Sequence, residues 1–267
     1  MSILGINRGE LTTFWTLFCK EMTLYKREYP GTVINALCWL MAVMIPAMFF
    51  LPKMGIADNF CMLLLPAGAM SWGFFDIVPN TVITMSDLEG NRAIEYDLIL
   101  PIRQSGIFLK MIVVNPCKSL MVSLVMFPAG AGIIYLGRGF VFSDINLLKT
   151  ILMFVVGSTF FASCGLWLTS LMTYIFQIRS IWMRVLMPLW WIGGFNNSWK
   201  VTYSFSPLFA QCCLINPIVY ATEGIRAAVL GQDGYISYWF CLVVLTAGSI
   251  VFATLGIARF KRRLDCL

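Results

Sequence analysis

The side chains best suited to chemistry in this chain lie in two short stretches. The first, residues 216–231, reads NPIVYATEGIRAAVLG and sits between two apolar segments. Pro217 suits the first turn of a helix that Asn216 caps. Glu223 and Arg226 then stand three residues apart on one face, where a carboxylate and a guanidinium can pair. Charges set among apolar neighbours need that mutual compensation. The second stretch, residues 86–110, reads SDLEGNRAIEYDLILPIRQSGIFLK and holds the densest mixed charge in the chain. Gly90-Asn91 reads as a turn, Ala93–Leu100 as a short helix and Pro101 as its end. It is either a solvated loop or a docking surface. Most connections run about 4–6 residues, and the extra length favours docking.

Much chemistry is excluded. There is no histidine, hence no Ser-His or Cys-His nucleophile pair and no histidine-ligated metal. No phosphate loop, dinucleotide fingerprint or hydrolase elbow occurs, so no cofactor is expected in this chain itself. Acidic residues form no mid-span pair at metal-binding spacing, which weakens a proton-driven transporter, and a membrane-embedded transferase lacks a polar catalytic cluster. The nine cysteines are scattered without a metal-ligand spacing and read as small apolar residues. A disulfide between the adjacent Cys212 and Cys213 is left open. The net charge of +6 is explained by basic loops facing anionic lipid rather than by a nucleic-acid partner.

The elements that must position these stretches are membrane spans. The chain is 59% hydrophobic and 12% charged, against about 25% charged in soluble domains. Its mean hydropathy is +0.81. Uncharged stretches run over Tyr29–Pro52, Asn59–Phe75, Ser119–Gly137, Thr150–Ile178, Val185–Trp199, Val201–Thr222 and Gly234–Ala258. A spanning helix needs about 20 mainly apolar residues. Val185–Trp199 qualifies by borrowing Ile181–Met183. Excluding Val201–Thr222 leaves six spans, with 13 of the 19 basic residues on the side of the termini and five on the other. That excess orients both termini to the cytoplasm. With Pro207, Pro217 and several polar residues, 201–231 reads as an outer re-entrant segment, tolerated only under protein cover or beside a water-filled cavity.

The N-terminal 28 residues lack the apolar core of a signal peptide. In residues 10–29, Leu11, Phe14, Trp15, Phe18, Met22 and Tyr25 share one helical face, before a stop at Pro30-Gly31. This reads as an amphipathic helix in the cytoplasmic interface, or as one packed on other protein. The expected fold is therefore an all-α polytopic single domain, 1–267, in a cell (inner) membrane. It comprises the interfacial helix 10–29, a cytoplasmic element 86–105 and the outer segment 201–231.

In this order the elements resemble the membrane subunit of an ABC exporter of the type-2 family, along nearly the whole chain. Residues 88–102, LEGNRAIEYDLILPI, are similar to that family's cytoplasmic coupling segment at Glu89, Ile94, Glu95, Leu98, Pro101 and Ile102. Arg92-Ala93 replace its usual Gly-Thr. Residues 216–231 are similar to its motif before the last span at Asn216, Pro217, Tyr220, Glu223, Arg226 and Gly231. The resemblance implies a dimer, with itself or a similar permease, in which each chain rests on a separate ATP-binding cassette subunit. That partner would bind ATP and Mg. Coupling would fall to Glu89, Arg92, Ile94, Glu95, Leu98 and Pro101. The outer exit would fall to Asn216, Pro217, Tyr220, Glu223 and Arg226, either as an exit or as the clasp of the hairpin. Trp190, Trp191, Asn196 and Asn197 either line a path or form an interfacial aromatic belt.

Overall fold

The computed structural model describes residues 8–90, 96–97 and 99–265. Arg92, Ile94, Glu95 and Leu98 lie outside the described residues. The architecture is all-helical, with no strand among the described residues. Its elements are α1 (Arg8–Ile45), α2 (Phe60–Phe75), α3 (Ile77–Glu89), α4 (Gln104–Arg138), α5 (Leu147–Leu171), α6 (Gln177–Ile181), α7 (Met187–Ile192), α8 (Trp199–Phe205), α9 (Pro207–Cys213), α10 (Pro217–Val229) and α11 (Tyr238–Asp265). Wider π turns follow α1 at Pro46–Phe50 and join α6 to α7 at Trp182–Leu186. Among the described residues five helices or helix pairs are long and apolar enough to cross a membrane, or six if the bent pair α9/α10 counts as one span. The protein is a multi-pass membrane protein in that sense.

Three boundaries differ from expectation. The helix does not stop at Pro30-Gly31 but runs through them as part of α1. Proline removes one hydrogen bond, yet Leu17, Tyr25, Ala36, Leu40 and Met44 bury one side of the long helix along α4. Leu11 and Trp15 of the expected apolar face are each 62% exposed, so the protein itself does not cover that face. Secondly, the second crossing does not end at Phe75. Helix α3 continues it after Asp76, giving one span from Phe60 to Glu89. Thirdly, the expected span through Val185–Trp199 ends at Ile192, where Gly193 and Gly194 (φ +80°) turn the chain. From Gln177 to Ile192 it runs only about 24 Å at 1.5 Å per residue, short of a bilayer core of about 30 Å.

Helix α10, also too short to cross, occupies the centre of one end of the bundle. All its residues from Ile218 to Val229 are buried, against α2, α5 and α11. The axis bends by 98° between α9 and α10. Aromatic rings fill the space beside it: Phe75 lies 5.3 Å from Trp190, and Trp190 lies 4.4 Å from Phe195. The cysteines expected to behave as apolar residues are free among the described residues, with Cys212 exposed and Cys213 buried.

Helix α11 packs backbone to backbone on α5 at Gly256. A Cβ added at Gly256 would lie 3.1 Å from the Trp167 backbone nitrogen and 3.2 Å from its Cα. In lipid, backbones come together where small residues let them. Gly256→Leu is expected to cost about 1–3 kcal/mol through overpacking and to lower the melting temperature in detergent by several degrees. Gly132→Leu, where the added atom meets nothing within 4 Å, is the control that should melt like the parent.

Candidate functional site

Helix α10 begins as its sequence suggests. The Asn216 Oδ1 accepts from the Ile218 amide at 3.1 Å, and Pro217 occupies the first turn. The Asn216 Nδ2 also donates to the Leu189 carbonyl at 2.6 Å. That second bond ties the cap to the last turn of α7. Tyr220 donates its hydroxyl to the Leu214 carbonyl at 2.8 Å, closing the turn between α9 and α10. Thr222 donates to the Gly193 carbonyl at 2.8 Å.

One turn further on, Glu223 and Arg226 are both fully buried, 3.4 Å apart. The guanidinium spends its donors on backbone carbonyls. Nε donates to Leu63 at 3.1 Å, Nη1 to Gly194 at 2.6 Å and Asn197 at 3.0 Å, and Nη2 to Phe195 at 2.6 Å. The carboxylate accepts from the backbone amides of Trp199 at 3.0 Å and Ile236 at 3.3 Å. The pair therefore clasps the outset of α2, the 193–199 turn and the loop leading into α11. Gly194 is required in this turn: its φ is +80°, and a Cβ there would sit 3.1 Å from Thr222 Oγ1.

Beside this clasp lies a cavity of about 480 Å³ whose lining includes Asn59, Asp144, Asn196, Asn197 and Tyr235. Burial pushes the Tyr235 phenol above its ordinary value, with Arg226 opposing the rise, so it stays a neutral donor. Of the residues expected along a path, Asn196 and Asn197 reach this cavity. Trp190 is instead buried in the bundle, where its ring nitrogen donates to Ser71 Oγ at 3.0 Å. Trp191 is 56% exposed on the surface.

Of the residues expected to couple, Glu89 and Pro101 are described, and Glu89 lies at the opposite end. Leu63, at the clasp, and Glu89 are 26 residues apart on one span, about 39 Å at the helical rise. Glu89 accepts from the Ile175 amide at 2.7 Å, fastening the end of α3 to the α5–α6 turn. Pro101 is exposed just before α4. Near it Lys110, 4% exposed, lies 3.2 Å from Glu21 and 3.0 Å from Asp97. Lys20 and Lys118 extend this network to Asp97 and Glu21 at 3.9 and 3.8 Å.

Sequence reading missed this network and also Asp76. Asp76 bounds the uncharged stretch 59–75, which hides its place within a span. The signal available was the apolar run that resumes beyond it at Ile77, Val78, Val82 and Ile83.

No protein-family model matches the chain, and a search of curated proteins returns no match.

The clasp makes a sharp expectation. Arg226→Lys keeps the charge but not the planar fork of five donors, and removing one member of a buried pair costs about 3–5 kcal/mol. Arg226→Lys and Glu223→Ala should both sharply reduce monodisperse protein on size exclusion, while Trp191→Ala leaves it unchanged. Normal yield and melting temperature for Glu223→Ala would remove the clasp from the fold's requirements.

Proposed function

We propose that the chain is the permease subunit of an ATP-driven exporter of the ABC type-2 class, moving a lipid, a lipid-linked glycan or an amphipathic small molecule. In this reading it is a transport subunit and no enzyme, and it sits in a cell (inner) membrane with both termini cytoplasmic. It works as a homodimer, or paired with a similar permease, on a separate ATP-binding cassette subunit that carries ATP and Mg. Six crossings are reached by counting the region from Gln177 to Val229 as one broken passage, with α10 re-entering from the outer side.

The observation that supports it best is the way the 86–105 element is joined to the bundle. Asp97 lies on that element, and the buried Lys110 of α4 bonds it on one side and Glu21 of α1 on the other. A partner pressing on the element from the cytoplasm would thus push α1 and α4 together, through charge-assisted bonds converging on the buried Lys110. Glu89 carries the same push to the α5–α6 turn. The other end, clasped by Arg226, would act as the fixed point. Every residue of the 216–231 motif that bears a polar group, from Asn216 to Arg226, is used in holding the hairpin together, which favours the clasp over the exit for these residues.

An ion-driven carrier is the second reading, and one observation favours it: Asp76 lies midway along a span.

Two measurements discriminate. Affinity purification in mild detergent should bring down a stoichiometric subunit with a phosphate loop, whose ATPase activity depends on this chain. A solitary oligomer that still transports would favour the ion-driven reading. Glu95→Lys should leave the assembled complex intact while lowering transport per ATP hydrolysed by about tenfold or more, a loss of about 1.4 kcal/mol in coupling. Unchanged transport by an intact complex would remove residue 95 from the coupling surface.

A further inference from the structure

Midway along the Phe60–Glu89 span, Asp76 faces a small chamber between α3, α4 and α5. Its lining includes Asn80, Thr81, Asn115, Ser119 and Ser158, and its volume is about 30 Å³. That is room for one or two water-sized occupants, too little for an organic substrate. Ser119 donates to Asp76 Oδ2 at 2.5 Å. No cation lies within ion-pair distance of this carboxylate among the described residues. The side chains of Asn80, Asn115 and Ser158 make no hydrogen bond to protein among the described residues, and none is sealed away from the cavity. Their oxygens are available to an occupant.

The chamber adjoins a vestibule. A second cavity of about 250 Å³ shares Asn80, Thr84, Met111 and Asn115 with it. The charged and titratable groups facing Asp76 all lie on that vestibule: Glu21, Tyr25 and Glu28 on α1, Lys110 and Lys118 on α4. Helices α2, α3 and α5 add only neutral groups to the lining. Both lysines are engaged elsewhere, Lys110 between Glu21 and Asp97, and Lys118 with Glu21 and over the Tyr25 ring at 5.3 Å. The vestibule's charges pair with one another, and although the field of Lys118 reaches the carboxylate, no cation pairs with it among the described residues. A lone carboxylate at this depth is costly and calls for neutralisation.

We propose that this chamber is a monovalent-cation site, in which Asp76 is neutralised by a proton or by a sodium ion admitted through the vestibule. Proton uptake forms one O–H bond on the carboxylate and returns water from hydronium. Sodium is held instead by the carboxylate with hydroxyl and amide oxygens around it. The site stands on the chamber's geometry, whichever energy source drives the chain.

The test is infrared difference spectroscopy on the full chain in lipid nanodiscs, purified with whatever partners accompany it. Titration runs first in choline chloride and then in sodium chloride. The expected result is a protonated-carboxyl stretch that titrates in choline and disappears in Asp76→Asn. Sodium that abolishes this signal at fixed pH identifies a shared proton and sodium site, and a signal indifferent to sodium identifies a proton site. A sodium-induced shift of the carboxylate stretch without any carboxyl signal, absent from Asp76→Asn, identifies a sodium site. Should Asp76→Asn fail to fold, Ser119→Ala keeps the carboxylate and removes its one bond. It should move the midpoint by about one pH unit, or sodium affinity by about tenfold, as one hydrogen bond to a charged group implies. No signal dependent on either variant, in either salt, would make Asp76 a permanently charged structural residue and overturn the proposal.

Discussion

A guanidinium cannot shed its charge in a protein, and Arg226 is buried completely. That constraint organises one whole end of the molecule. Five donors in a plane must each find an acceptor, and a single carboxylate three residues away cannot supply them all. The chain meets the demand with carbonyls from Leu63, Gly194, Phe195 and Asn197. Those carbonyls come from the outset of α2 and from an irregular turn, whose backbone groups would otherwise be unsatisfied at membrane depth. The arginine and the turn therefore justify each other. Gly193 and Gly194 break the helix so that the carbonyls of Gly194, Phe195 and Asn197 can face the guanidinium, and the guanidinium makes the break tolerable.

From that clasp the remaining architecture follows. Helix α10 cannot align with α9 while its side chains hold Leu189, Gly193 and Leu214, so the axis bends. The π turn at Trp182–Leu186 and the short α7 bring Trp190 inward to Ser71, and the rings of Phe75 and Phe195 close around it. At the far end the bundle is held differently, by Lys110 between two carboxylates from separate segments. One end is fixed by backbone acceptors, which cannot rearrange without unfolding the turn. The other is joined by side-chain ion pairs, whose long arms can exchange partners. Asp76 sits between these two regimes, within the field of Lys118 but in no ion pair among the described residues.

The local chemistry of α10 was legible in advance. Asn216 as cap, Pro217 in the first turn and the i, i+3 pair all depend on residues adjacent in sequence, and the structure contains each of them. Helix ends at Pro30 and Phe75 were misread for one shared reason. A proline or an aspartate is a local breaker, but its cost of a few kcal/mol competes with packing along an entire helix and with the need of every amide in lipid for an intrahelical partner. Among lipid, ending a helix costs more than running through a poor residue. The expected span through Val185–Trp199 failed in the opposite direction. Its apolar character was real, but Gly193-Gly194 and Asn196-Asn197 serve the clasp.

By itself, the sequence determined the solvent and the helical class. So few charges on so many apolar residues leave only lipid-embedded helices, and each cap or pair within a few residues can be read from spacing alone. Tertiary structure decided which polar groups meet. Leu63 and Arg226 are 163 residues apart, Lys110 and Glu21 are 89 apart, and Ser119 reaches Asp76 across 43. No periodicity encodes such convergence. It arises when helices choose neighbours by fitting small residues against backbone, as Gly256 does at Trp167, and buried polar groups must then find partners among whatever the packing brings near.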